Sequence, residues 1–214
     1  MVAEPTRFYT PEEYLEFEND SEIKHEYING QIVPLHRDYD MRAMTGASRA
    51  HVTINSNVNG MLYNQLRGKS CQPFAQDLRV RISETGLYSY PDIAVACEPM
   101  QFAEEEERTL LNPVAIIEVL SPTTEAYDRG AKFAHYRHLP SLRDYVLVAQ
   151  DAMRLEHFER QPNGDWLLRV AETATAEAVL SSIDCRLNAA EVYERVTFAA
   201  VENMARHFPT PSSA

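Results

Sequence analysis

The sequence predicts one α/β domain, a mixed β-sheet flanked by helices, over residues 1–208, followed by a loose tail at 209–214. Three observations carry that expectation. Short apolar runs of strand character alternate with segments whose apolar residues return at helical spacing. Asn-Gly turn signals separate strand pairs. No repeat or linker divides the 214 residues, a length that one core accommodates.

Thr10-Pro11-Glu12-Glu13 combines an N-cap, a first-turn proline and a capping-box glutamate, predicting a helix to about Glu18. His25-Glu26-Tyr27-Ile28, Asn29-Gly30 and Gln31-Ile32-Val33 read as a hairpin on a type I′ turn. His51, Ile54, Val58, Leu62 and Leu66 share a helical stripe that ends near Gly68. Leu78, Val80 and Ile82 alternate with Asp77, Arg79 and Arg81, the pattern of a half-exposed strand. Two strongly apolar runs follow, Tyr90 to Cys97 and Val114 to Leu120. A helix is expected over about Arg129 to Leu139, stopped by Pro140, and then a buried strand over Asp144 to Val148. Arg154 to Arg160 and Trp166 to Val170 flank a Pro-Asn-Gly-Asp turn, a second hairpin. Asn188 with Glu191 marks the start of a C-terminal helix.

Composition is ordinary for a globular chain, 44% hydrophobic and 24% charged, and no stretch reaches bilayer length. The start, Met1 to Pro5, lacks the basic-then-apolar pattern of a secretory signal, so a cytoplasmic location is expected. Cys71, Cys97 and Cys185 are odd in number and scattered, which reads as reduced, buried thiols rather than a zinc motif or disulfide framework. The net charge of −12 argues against general nucleic-acid binding and requires any DNA-binding surface to be local. Part of the excess lies in Glu104 to Glu107, read as a solvated loop.

Asp92 and Glu118 are the most informative residues. Each is a carboxylate set inside an apolar, strand-like run, where an unpartnered charge is costly. Two such strands suggest a shared cation, and hard oxygen ligands suit Mg²⁺ or Mn²⁺. Lys132 follows in a helical segment, where an ammonium stabilises phosphate charge or orients water. The Val119 carbonyl offers a third oxygen and Glu26 an additional acid. Bland readings stand beside these: a turn-capping Asp92, a Glu118 paired with Arg79, a solvated Lys132. His51, on its helix's apolar stripe with no acidic neighbour in sequence, reads as a core or interfacial histidine.

Tyr27 to Val33, Asp77 to Val80, Tyr90-Pro91-Asp92, Glu118 to Pro122 and Tyr127 to Phe133 carry a family resemblance, continued by Tyr136 to Tyr145. In these segments the chain resembles the PD-(D/E)xK restriction-endonuclease-like superfamily, and within it the bacterial family of putative restriction endonucleases. The resemblance covers about Tyr9 to Val196. It implies a restriction-endonuclease-like core, a metal held by Asp92 and Glu118, and Lys132 as the catalytic lysine. The position two after Glu118 is Leu120 rather than lysine, so the lysine must arrive from the following helix. The expected activity is Mg²⁺- or Mn²⁺-dependent cleavage of DNA by a homodimer, with Arg79, Arg81, Arg129 and Tyr136 touching the substrate. The alternatives are a non-catalytic nuclease-fold module that binds DNA or protein, and a hydrolase of a small phosphate compound; the latter lacks a Gly-rich phosphate loop.

Overall fold

A computed structural model describes residues 7–35, 47–104 and 106–198, so the expected tail lies outside the described residues. Helix α1 (Pro11–Asp20) opens with the capping box its sequence encodes: Thr10 Oγ1 accepts from the Glu13 N–H and Glu13 Oε2 from the Thr10 N–H. Near its other end, Glu18 accepts the His25 backbone N–H at 2.9 Å. That contact ties α1 to the hairpin of β1 (His25–Ile28) and β2 (Gln31–Pro34). Asn29 and Gly30 take φ of 50° and 83°, the two left-handed positions of a type I′ turn.

Helix α2 (Arg49–Leu66) is capped by Ser48, whose hydroxyl accepts the His51 N–H at 3.1 Å. Strands β3 (Cys71–Ala75), β4 (Arg79–Ile82), β5 (Leu87–Ser89), β6 (Ile93–Cys97), β7 (Phe102–Ala103), β8 (Glu106–Leu110) and β9 (Ala115–Val119) follow. Next come α3 (Glu125–Tyr127), a π-helical turn (Asp128–Lys132) and α4 (Phe133–Tyr136). Strands β10 (Asp144–Val148), β11 (Leu155–Arg160), β12 (Trp166–Ala171), β13 (Glu177–Leu180) and β14 (Cys185–Asn188) precede α5 (Ala189–Val192).

The strands form two six-stranded mixed sheets, in the orders β2-β1-β5-β4-β8-β7 and β12-β11-β10-β9-β6-β3, plus the β13–β14 pair. In the second sheet β9 and β10 run parallel, joined by the broken helical segment. Alternation along its strands divides the core. Ile93, Val95, Ile117 and Val119 meet the α2 stripe of Ile54, Val58, Leu62 and Leu66. Ala94, Ala96, Ile116 and Leu147 meet α4 together with Val80, Ile82, Leu87 and Leu110 of the first sheet. The site lies where the two sheets and the broken helix converge.

The expected α/β class, mixed sheet with flanking helices, holds, with the strands divided between two mixed sheets. Several expectations are corrected. The helix over Arg129 to Leu139 is instead a short α–π–α succession. Residues 106 and 107 of the acidic run begin β8 rather than lying in a loop, because β8 pairs with β4 and β7. Arg79 does not face solvent; it is buried, and its Nε donates to Thr109 Oγ1. Cys71 and Cys97 are not free thiols: they face each other across β3 and β6 and form a disulfide, leaving Cys185 free and buried. No helix among the described residues is long and apolar enough to cross a membrane.

Candidate active site

The register of β6 against β9 pairs Ile93 with Ile117. One step back from Ile93 and one step on from Ile117, Asp92 therefore lies opposite Glu118, on the same face of the sheet. Hydrogen bonds lock the two together. The Asp92 N–H donates to Glu118 Oε2 at 3.2 Å, and the Val119 N–H donates to Asp92 Oδ2 at 2.8 Å. Lys132, last residue of the π-helical turn, brings its ammonium to 2.9 Å from Glu118 Oε1. It also lies 3.6 Å from Glu26 Oε1, delivered by the first hairpin, and 3.5 Å from Asp128 Oδ1, four residues earlier. The side chains of Glu26, Glu118, Asp128 and Lys132 are all buried. The Tyr136 hydroxyl donates to Glu118 Oε1 at 3.2 Å and contacts the Ser89 hydroxyl at 2.9 Å.

Glu26, Asp92, Glu118, Asp128 and Lys132 line a cavity of about 370 Å³. Among its described lining residues, Lys132 is the one lysine or arginine. Burial drives the Glu118 carboxyl up to about 8, against the pull of Lys132, while Asp128 and Asp92 push the same way as burial. Burial opposes charge on Lys132, but Glu118, Tyr136, Glu26 and Asp128 outweigh it and raise its pKa well above the ordinary lysine value. The structure therefore brings together Asp92, Glu118, Val119, Lys132 and Glu26.

It does not bring the expected substrate contacts there. Arg79 is buried beside Thr109, and Arg81 lies over the Tyr88 ring. Arg129 is held by Glu125 and Glu156. Tyr136 is fully buried, so it offers no face on which a base could stack; its hydroxyl holds Glu118 instead.

Two further residues belong to this cluster, Asp128 and His51. Asp128 had one available signal, its i to i+4 spacing from Lys132. His51 is not a plain core residue: its Nε2 lies 3.1 Å from Asp92 Oδ1, across 41 residues that no local pattern bridges. Burial lowers the affinity of His51 for a proton, but the hydrogen bond and charge of Asp92, with Asp128 behind it, leave its pKa raised.

Among the described residues, no three or more His, Cys, Asp or Glu side chains stand ready as a metal cage. A hard divalent ion that keeps several waters needs fewer: one or two carboxylates and an oxygen-rich wall suffice. Asp92 and Glu118, with the Val119 backbone beside them, match that donor chemistry.

The two-sheet α/β fold and the family to which the chain belongs are those of proteins described as putative nucleases. Residues 11–189 match the Uma2 family, described as "Putative restriction endonuclease", and the chain belongs to that family. An uncharacterized protein of Synechocystis sp. is 38% identical over 159 residues, 74% of this chain and 78% of that one. A second from the same organism is 32% identical over 181 residues, 85% of this chain and 97% of the other. The fold is similar to a crystal structure from Anabaena variabilis described as a putative nuclease belonging to DUF820. The TM-score is 0.67 at 18% identity, over 85% of this chain and 96% of that one.

Proposed function

We propose that this protein is a metal-dependent endonuclease that hydrolyses DNA phosphodiester bonds with Mg²⁺ or Mn²⁺. The observation that carries the reading is the convergence of Asp92 and Glu118, from adjacent strands, on one cavity with Lys132 against Glu118. Asp92, Glu118 and the Val119 carbonyl would hold the ion. Bound there, it supplies charge neutralisation at phosphorus and an activated water. Lys132 stays an ammonium and stabilises the charge that builds on the phosphate oxygens. Glu26 and Asp128 keep it charged and hold it from two sides. Tyr136, braced by Ser89, fixes the direction of the Glu118 carboxylate.

A second reading, a non-catalytic nuclease-fold module that binds DNA or protein, draws support from the net charge of −12 and the single lysine in the described cavity wall. A supercoiled-plasmid assay separates the two. The wild type is expected to nick plasmid with Mn²⁺ or Mg²⁺ and not with EDTA, and Asp92→Asn to be inactive. A wild type that binds Mn²⁺ by calorimetry yet leaves plasmid intact supports the module.

A further inference from the structure

We infer that strand β12 (Trp166–Ala171) is an interaction surface that takes a second copy of this chain, edge to edge and antiparallel, so that the β12-edged sheets of two copies join across a two-fold axis. Such pairing gives a homodimer a definite surface and register, and it is independent of any chemistry at Asp92 and Glu118.

The two large sheets have four edge strands, and three are blunted against further pairing. β3 carries Pro73 at its centre, β2 ends in Pro34, and β7 is two residues long. β12 has six residues, no proline and a single charge, Arg169. Its Leu167, Leu168 and Val170 are 42%, 45% and 45% exposed, and large apolar side chains exposed together on one strand mark a contact surface. The backbone is placed to bond as well. Arg160, opposite Trp166, gives its N–H to Arg143 on the β10 side, so Trp166, Leu168 and Val170 turn their N–H and C=O groups away from β11. Among the described residues no strand takes them.

Charge then commits the occupant to a second copy. Outward-turned residues must meet outward-turned residues, which restricts a two-fold pairing of β12 with itself to a few registers. With Leu167 on the axis, Trp166 meets the partner's Leu168 and Asp165 meets the partner's Arg169. Apolar pairs and pairs of opposite charge in such positions stabilise facing strands. Asp165 is exposed, and Arg169 bonds Glu159 yet stays 57% exposed, which leaves guanidinium donors for the partner's Asp165. An axis at Leu168 sets Arg169 against the partner's Leu167, and an axis at Arg169 sets two guanidiniums face to face. The register centred on Leu167 matches the strand to itself, which a foreign strand would not require.

The test uses the full-length chain, wild type and the variants Leu167→Lys, Leu167→Cys and Leu168→Cys, with sedimentation velocity and non-reducing gels as readouts. The wild type is expected to be a dimer at micromolar concentration. Leu167→Lys sets two ammonium groups opposite each other and is expected to weaken that dimer about tenfold or more. In the non-hydrogen-bonded pair on the axis the two α-carbons lie about 4.5 Å apart. Leu167→Cys is therefore expected to give a covalent dimer under copper phenanthroline and oxygen, the two thiols losing two electrons and two protons to that oxidant as one S–S bond forms. Leu168→Cys, which faces the partner's Trp166, is expected not to cross-link. A wild type that sediments as a monomer at every concentration overturns the inference, whether another segment of the chain or a foreign protein covers β12. A dimer that Leu167→Lys leaves intact overturns it too, as does one that cross-links through Leu168→Cys or through neither cysteine. Should Leu167→Lys fail to fold, the two cysteine variants decide.

Discussion

Glu118 sits in a strand whose other four residues are Ala115, Ile116, Ile117 and Val119, and all five are buried. Nothing in such a setting favours a charge except its partners, which is why Glu118 and Asp92 stand out in the sequence while His51 does not. A carboxyl pushed up to about 8 holds a proton at neutral pH and must release it to take a cation. The raised value fixes the sign: Mn²⁺ affinity rises with pH up to about 8 and levels off above it. Below that point the slope is about tenfold per pH unit for one displaced proton. Calorimetry from pH 6 to 9 checks this, and a flat profile contradicts a raised Glu118. Lys132 supplies a second test. Its ammonium lies against Glu26, Glu118 and Asp128 in the metal-free protein. Lys132→Met takes that partner from Glu26 and Asp128 and is expected to destabilise the metal-free fold by about 3–5 kcal/mol. An added divalent ion replaces the lost charge, so the Mn²⁺-induced rise in melting temperature should exceed that of the wild type. Nicking should be lost all the same. A variant melting like the wild type would mean that Lys132 is a solvated lysine.

At the scale of elements, what the sequence discloses is what local chemistry dictates. The Thr10 capping box, the Asn29-Gly30 turn and the α2 stripe each depend on residues within a few positions of one another, and each stands where the pattern places it. The β9 run is legible because a strand buried on both faces is apolar throughout. Pairing across distance is not legible. Nothing local reveals that Cys71 faces Cys97, that Arg79 turns inward to Thr109, or that the strands divide into two sheets. The segment after Glu118 is the instructive miss. Its residues favour helix, yet the chain widens to a π-helical turn over Asp128 to Lys132, and both turn ends are buried acid or base. The widened turn presents Asp128 and Lys132 to the same cavity, a tertiary demand overriding the regular helical repeat. The β13–β14 hairpin is illegible for a simpler reason: its four-residue strands carry no Asn-Gly or Pro-Gly signal between them.

For the whole molecule, charge is the deciding quantity. A chain of net charge −12 repels a polyanion, and the cavity wall carries four acidic side chains, Glu26, Asp92, Glu118 and Asp128. On the endonuclease reading, Lys132 alone does not offset them, and an added divalent ion would have to reverse the local field before DNA approached. DNA binding is therefore expected to depend on the ion itself, apart from its part in cleavage. Ca²⁺ accepts the same hard oxygens as Mg²⁺ and serves as the probe for binding. Fluorescence anisotropy with a labelled duplex at low salt should show no binding in EDTA and clear binding with Ca²⁺. Asp92→Asn should lose most of that gain, which separates an ion held in the site from general screening of the duplex. Few lysines or arginines then meet phosphates, so the logarithmic salt slope should be shallow, at about −0.9 for each such contact. Tight binding in EDTA with a steep salt slope would place the DNA on a basic surface elsewhere and detach it from Asp92 and Glu118.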